Sequence, residues 1–182
     1  MTYYGGKEMA RSFRTVRENT VKIAEEIPEN KYDFRASPDT KTVGQTLAHI
    51  ALGPRFQLYT QTNKIDDLKK VNFPELMAKF GPEEAKPRTK AEIVALLKAE
   101  GEKFASYLES ASESFLAEQV KMPPGAHPAT KTRFEMLLGP KEHEMHHRAQ
   151  LMVIQRMIGL VPHLTRQMQE RMAQHAAAPP AR

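Results

Sequence analysis

Apolar residues in this chain recur every three to four positions in four long stretches, and nowhere do they sustain the two-residue alternation of a strand. That rhythm predicts an all-α protein. The first stretch runs from about Glu8 to Ile27, with Phe13, Val16, Ile23 and Ile27 on one face that can be buried, and Pro28 ends it. A packed connection from Glu29 to Asp39 leads to a second helix, capped by Thr40 or Thr42, which runs to about Thr60 with a bend at Gly53-Pro54. A long linker holding Pro74, Gly81, Pro82 and Pro87 follows, with a short helix over Phe73–Phe80 opened by Pro74. A connection of that length either crosses the bundle or lies over one of its openings. The third helix opens at Thr89, where Glu92 completes a capping box, and continues to about Glu118. After a break at Pro123-Pro-Gly125 and Pro128, the fourth spans about Thr132 to Gly159, bent or restarted at Gly139-Pro140. Beyond Val161-Pro162 a short amphipathic helix leads to a frayed tail over residues 176–182. The chain therefore reads as one helical domain over residues 1–175 plus that tail, and its 182 residues, 40 % of them hydrophobic, are enough to bury a core.

Composition removes several function classes. The chain has no cysteine, which excludes thiolate catalysis, disulfides and any cysteine-ligated zinc or iron-sulfur site, so a metal must be held by His, Asp, Glu, Asn, Gln or water. The first residues lack the apolar run of a signal peptide, and no segment approaches the roughly 20 apolar residues that cross a bilayer. A soluble cytoplasmic protein without a membrane partner is the expectation. The 27 Lys+Arg against 22 Asp+Glu give a net charge of +5, yet the two signs alternate along the helices, as in Lys98-Ala-Glu-Gly-Glu-Lys103. No basic run with interleaved aromatics occurs, so the charge reads as solvated surface and not as a nucleic-acid footprint.

Three of the seven histidines fall within five residues, His143-Glu-Met-His-His147. At 100° per residue His143 and His147 lie within about 40° of each other, in the sector of Leu151, Ile154 and Ile158. His146 points about 60° or more away. An i,i+4 pair places two imidazoles one turn apart and converging, as a shared divalent ion requires. Two imidazoles bind weakly, so a third ligand should come from another apolar helix face. His49, in the sector of Leu52 and Phe56, is the best candidate. Taken alone, His49 reads as a core histidine bonded to a carbonyl; the pair on the fourth helix turns it toward ligation. His127, His163 and His175 read as exposed.

The segment Lys41-Thr-Val-Gly-Gln-Thr-Leu-Ala-His-Ile50, together with Glu142-His-Glu-Met-His-His-Arg-Ala-Gln-Leu151, resembles the DinB-like (DinB/YfiT) superfamily. So does the linking segment Ile27 to Pro38, and the resemblance covers roughly residues 8 to 162. It implies a four-helix bundle of up-down-down-up order, here with an additional short C-terminal helix. It also implies a three-histidine site for a divalent metal, usually nickel or zinc, whose ligands match His49, His143 and His147, and often a homodimer. Ala149 stands where many relatives have Gly. Members include transferases and isomerases that use low-molecular-weight thiols, beside many proteins with no known reaction.

His143-Glu-Met-His-His147 is also a literal H-E-x-x-H, the zinc-protease signature. The extended form of that motif fails at Gln150 and Val153, no strand is expected to receive a peptide, and Glu144 projects about 60–100° from the ligand pair. Three neutral imidazoles leave a divalent ion its charge and an open position, which suits Lewis-acid work or activation of water or a thiolate. Gln150 is placed to orient a ligand or water, Arg148 to form a surface or interface salt bridge, and Arg55 and Tyr59 to line the mouth. Two functions stay open: a metal-dependent transferase or hydrolase on a small molecule, thiol-dependent in one version, and a non-catalytic metal-stabilised binding or stress-response protein. A homodimer is further expected from Met145 and Met152, which lie opposite the histidine sector and need a cover that the last helix could equally supply.

Overall fold

The computed structural model describes residues 4–177; Met1 to Tyr3 and positions 178–182 of the expected tail lie outside the described residues. Helix α1 spans Gly6–Glu26, α2 Val43–Leu52, α3 Pro54–Thr62, α4 Phe73–Ala85, α5 Lys90–Ser110, α6 Glu113–Ala117, α7 Arg133–Met157 and α8 His163–Ala177. Strands β1, Gln119–Lys121, and β2, Thr130–Thr132, sit between α6 and α7. None of the described helices is long and apolar enough to cross a membrane.

Threonine starts three of the four bundle helices. Thr42, Thr89 and Thr132 each accept from the backbone N–H three residues on, while Gln45, Glu92 and Glu135 reach back to the threonine N–H. Each such cap contributes about 1 kcal/mol to helix stability. Of the two candidate caps of the second helix, Thr42 is the one used. Gly53-Pro54 then divides that helix into α2 and α3, Pro54 opening the second piece.

Chain direction follows from cross-helix bonds. Lys90 at the start of α5 donates to Glu25 and Ile27 at the end of α1, so the two helices are antiparallel. On α7, Lys141 reaches Ser12 and Gln155 reaches Glu26, which makes α7 parallel to α1. With α2–α3 descending beside α5, the order is up-down-down-up, a four-helix bundle with α8 as the additional short C-terminal helix.

Two apolar cores fill the bundle. One is built on Ile23, Ile27, Val43, Leu47, Leu97, Leu151 and their neighbours. The other gathers Met9, Phe13, Leu58, Phe104, Leu108 and Leu137. Between them lies a charged layer that the apolar pattern did not announce. Arg17 and Glu144, with side chains 5 % and 1 % exposed, form an ion pair at 2.9 Å. The remaining Arg17 donors reach the carbonyls of Leu97 at 2.8 Å and Ile50 at 3.2 Å. One guanidinium thus ties α1, α2, α5 and α7 together. Gly101 makes room for it, because a Cβ there would stand 2.7 Å from Cγ of Arg17.

The structure corrects the sequence reading at several places. The third helix does not continue to Glu118: Ser112 turns its side chain to the N–H of Phe115 and starts α6 afresh, a local bond that competes with a continuous helix. Strands do occur, as an antiparallel pair with Gln119 opposite Thr132, three residues each and too short for alternation to register. The linker helix extends past Phe80 to Ala85, because Pro82 removes only the bond to the carbonyl of exposed Ala78. Around this linker a satellite core of Leu68, Val71, Leu76, Val120 and Met136 holds the hairpin. Arg133, 2 % exposed, pins the same region by donating to Glu118, Gln61 and the Ile65 carbonyl.

Candidate metal centre

At the level of the charged layer, His49 on α2 faces His143 and His147 on α7. The neighbours of two of them, Ile50 and Glu144, are the groups that Arg17 holds. Ligand-capable atoms of the three imidazoles all lie within 4.8 Å of one another. Nitrogens that share an ion at about 2.0–2.1 Å stand about 3–4 Å apart, so an adjustment of about 1 Å closes the set. Nε2 of His49 and Nε2 of His143 are already 2.9 Å apart. All three rings are half-buried. Gly53 lets the α2–α3 bend rest on His143: a Cβ at that position would lie 3.2 Å from Nδ1.

Outer partners turn the rings inward. His49 donates from Nδ1 to Glu84 Oε1 at 3.0 Å, and His147 donates from Nδ1 to Gln150 Oε1 at 2.8 Å. Both bonds leave Nε2 as the lone-pair nitrogen, the tautomer a metal needs. Gln150 thus orients the His147 ring itself. Its amide also donates to exposed His146 at 3.3 Å, so His146 stands outside the cluster.

Glu84 was not visible in the sequence. It comes from the end of α4, whose bundle-facing phase is set by contact with α2, and it also meets Lys41 at 3.3 Å. The linker therefore covers the opening over His49. Burial pushes the Glu84 carboxyl up, but the His49 hydrogen bond and the charges of His49 and Lys41 outweigh it and hold it below the ordinary range. A carboxylate behind a ligating histidine strengthens binding, and its loss commonly costs 10–100-fold in affinity. Glu84→Ala should weaken divalent-metal binding by roughly that factor with unchanged helicity. Calorimetric titration of both proteins checks it, and a shift below twofold would remove Glu84 from the centre.

Burial works against protonation of His143 and His147. Burial, then the nearby His147 and His49, lower the His143 pKa from 6.5 to about 4. Burial also lowers His147, against the opposing pull of the Gln150 hydrogen bond. Between pH 6.5 and about 4 the unfolded chain takes up a proton at position 143 that the folded chain refuses. Acid therefore favours unfolding across that window, and the metal-free protein should lose stability as pH falls from 6.5 toward 4. Thermal midpoints measured against pH should flatten over this range in His143→Asn.

Other assignments change. Glu144 is sequestered by Arg17 and is not available as the base of an H-E-x-x-H protease. Because Glu144, one turn away, is taken, half-buried Arg148 has no ion pair among the described residues, in place of the expected surface salt bridge. Arg55 turns instead to Glu100 at 2.6 Å, and neither it nor Tyr59 lines the cleft beside the triad. His163 is not exposed: it is 1 % accessible and donates from Nε2 to Asn19 at 2.9 Å, which docks α8 on α1. His127 and His175 are exposed. Met152 packs on the first core, whereas Met145 stays 43 % exposed.

A cleft of about 440 Å³ opens beside His147, with Gln150, Lys41, Thr46, Val153 and Ile154 in its walls. Residues 12–151 match the sequence profile of the DinB superfamily. The chain belongs to that superfamily. Among solved structures, this DinB-superfamily chain is similar to a DinB-like protein from Bacillus subtilis, with a TM-score of 0.61 and 19 % identity over 84 % of this chain and 92 % of that one. It is also similar to an uncharacterized protein from Clostridium difficile 630, with a TM-score of 0.64 and 13 % identity over 86 % of this chain and 98 % of that one. At such identities the likeness is one of fold. No curated protein matches the chain.

Proposed function

We propose that this DinB-superfamily protein binds one divalent ion, nickel or zinc, through His49, His143 and His147. In this reading it acts as a transferase or hydrolase on a small molecule, with a low-molecular-weight thiol as a further partner. The observation that carries it is the pair of outer bonds, Glu84 to His49 and Gln150 to His147, which aim two Nε2 lone pairs at the space shared with His143. The donor set fits a borderline-soft divalent ion, because imidazole suits zinc and nickel alike. When bound, such an ion supplies Lewis acidity at an open position. Around it, His147 is held by Gln150, and Lys41 offsets the Glu84 charge at the cleft rim.

Elemental analysis of protein purified without an affinity tag tests this reading. One equivalent of nickel or zinc per chain supports it, and a chain that neither retains nor takes up a divalent ion rules it out. The alternative, a non-catalytic metal-stabilised binding or stress-response protein, draws support from one observation. Glu84 is held by His49 and Lys41 and Glu144 by Arg17, so neither is free to serve as a general base. A cytoplasmic homodimer completes the proposal. Met145, Met157, Met168 and Met172 are 43–62 % exposed on α7 and α8, a surface suited to a second copy, and light scattering would detect the dimer.

A further inference from the structure

Helix α8 puts none of its described side chains into the three apolar cores. From Met168 to Ala176 every residue is exposed, so the helix is held at its first turn. Three polar clasps act there. His163 donates from Nε2 to Asn19 Oδ1 at 2.9 Å, Arg166 donates to Glu26 at 2.5 Å, and Arg156 of α7 donates to Thr165 at 2.8 Å. His163 is the one buried side chain of α8 among the described residues, and its Nδ1 is enclosed and bonds to nothing there. Oε1 of Gln155, equally enclosed, is also without a partner, so it does not serve the ring.

Around the ring stand Lys22 and Glu26 of α1, Arg148 of α7 and Arg166 of α8 itself. Glu26 is the one carboxylate among them, and Arg166 already engages it. A proton on Nδ1 would therefore be a buried N–H without an acceptor, beside three cations and at the positive end of a helix. We propose that α8 is an acid-released strap: protonation of His163 lifts it from α1 while the four-helix bundle stays folded. Burial, aided by Lys22, Arg166 and Arg148 and opposed by Glu26, holds the docked imidazole below its ordinary pKa of 6.5. Released, the ring takes up the proton that the docked ring refuses. Docking is thus at full strength above pH 6.5, and each pH unit below it makes release about tenfold easier. Release bares the face of α1 that carries Asn19 and Glu26.

The test follows hydrogen exchange of the full chain at about pH 7.5 and about pH 5.5, one unit to either side of the free imidazole. Protection factors of the α8 amides should fall about tenfold between the two, from a level already below that of α1 and α5. His163→Gln, whose amide can still donate to Asn19 but does not titrate, should show no such fall. His143→Asn, which removes the other proton uptake in this window, should keep it. Unchanged α8 protection in the parent, the same fall in His163→Gln, or α8 amides that exchange only as slowly as those of α1 and α5 would overturn the strap. A second reading does not depend on how well glutamine holds the helix. Followed by NMR in the parent, the His163 ring should gain its proton only as α8 loses protection, and a ring that titrates near pH 6.5 with α8 still protected would overturn the proposal.

Discussion

Replacing Arg17 or Glu144 by alanine should destabilise the protein by about 3–5 kcal/mol, as truncation of one partner of a buried ion pair does. A domain stable by about 5–15 kcal/mol loses a large share of its stability that way. Arg17→Ala strands the Glu144 carboxylate in a side-chain environment 1 % exposed and also removes the donors of the Leu97 and Ile50 carbonyls. Glu144→Ala leaves a guanidinium with its two carbonyl acceptors and no counter-charge. Lysine at position 17 should recover only part of the loss, since one ammonium cannot reproduce a planar fork that reaches three helices. Removing both charges together, as Arg17→Met with Glu144→Leu, should restore most of the stability, because nothing charged is then left buried. Urea unfolding of the four variants decides the matter. A loss below about 1 kcal/mol in Glu144→Ala would mean that the pair is not desolvated as the structure shows.

His49→Ala, His143→Ala and His147→Ala should each abolish stoichiometric metal binding, and His146→Ala should largely spare it. Four-ligand zinc sites bind with about 10–16 kcal/mol, which is about 3 kcal/mol per ligand and on the order of a hundredfold in affinity for each one lost. Starting from three imidazoles within 4.8 Å of one another, a single deletion leaves two, too few to hold an ion at micromolar concentration. His146 is exposed, receives a bond from the Gln150 amide and meets the His147 ring edge-on at 4.9 Å, so its removal takes no nitrogen from the set of three. Calorimetric titration with zinc or cobalt reads the result. If His146→Ala emptied the site while His143→Ala or His147→Ala did not, the face of α7 assigned to the metal would be wrong. If all four kept one equivalent, the ion would bind elsewhere.

The three histidines were legible because two sit one turn apart on an apolar arc and the third interrupts another, and helix phase alone carries that information. Thr89 was legible as a helix start because a capping box is a local pattern, complete within four residues. Arg17 left a trace that went unread: it lies four residues from both Phe13 and Val21 on the apolar face of α1, where a cation needs a buried partner. Which residue pairs with it depends on how α1 and α7 align, and one helix's periodicity does not contain that. Glu84 and His163 were hidden for a related reason. Each belongs to a short helix outside the four main ones, so its facing is decided by docking onto α2 or α1 and not by a long stripe of its own.

The charged layer also acts as an index mark for the whole assembly. Apolar stripes tolerate sliding, since a helix displaced by one turn, about 5.4 Å, still meets leucines and isoleucines. Here such a slip would push Arg17 into one hydrocarbon compartment and Glu144 away from it, so only one alignment satisfies both charges and both carbonyls. Because Ile50 and Glu144 are next in the chain to His49 and His143, the same mark sets the heights at which those imidazoles meet. Firmness and alignment are therefore separable properties of this bundle. The doubly apolar variant should stand up to urea almost as well as the parent, yet hold its metal in several geometries instead of one, visible as a broadened cobalt spectrum.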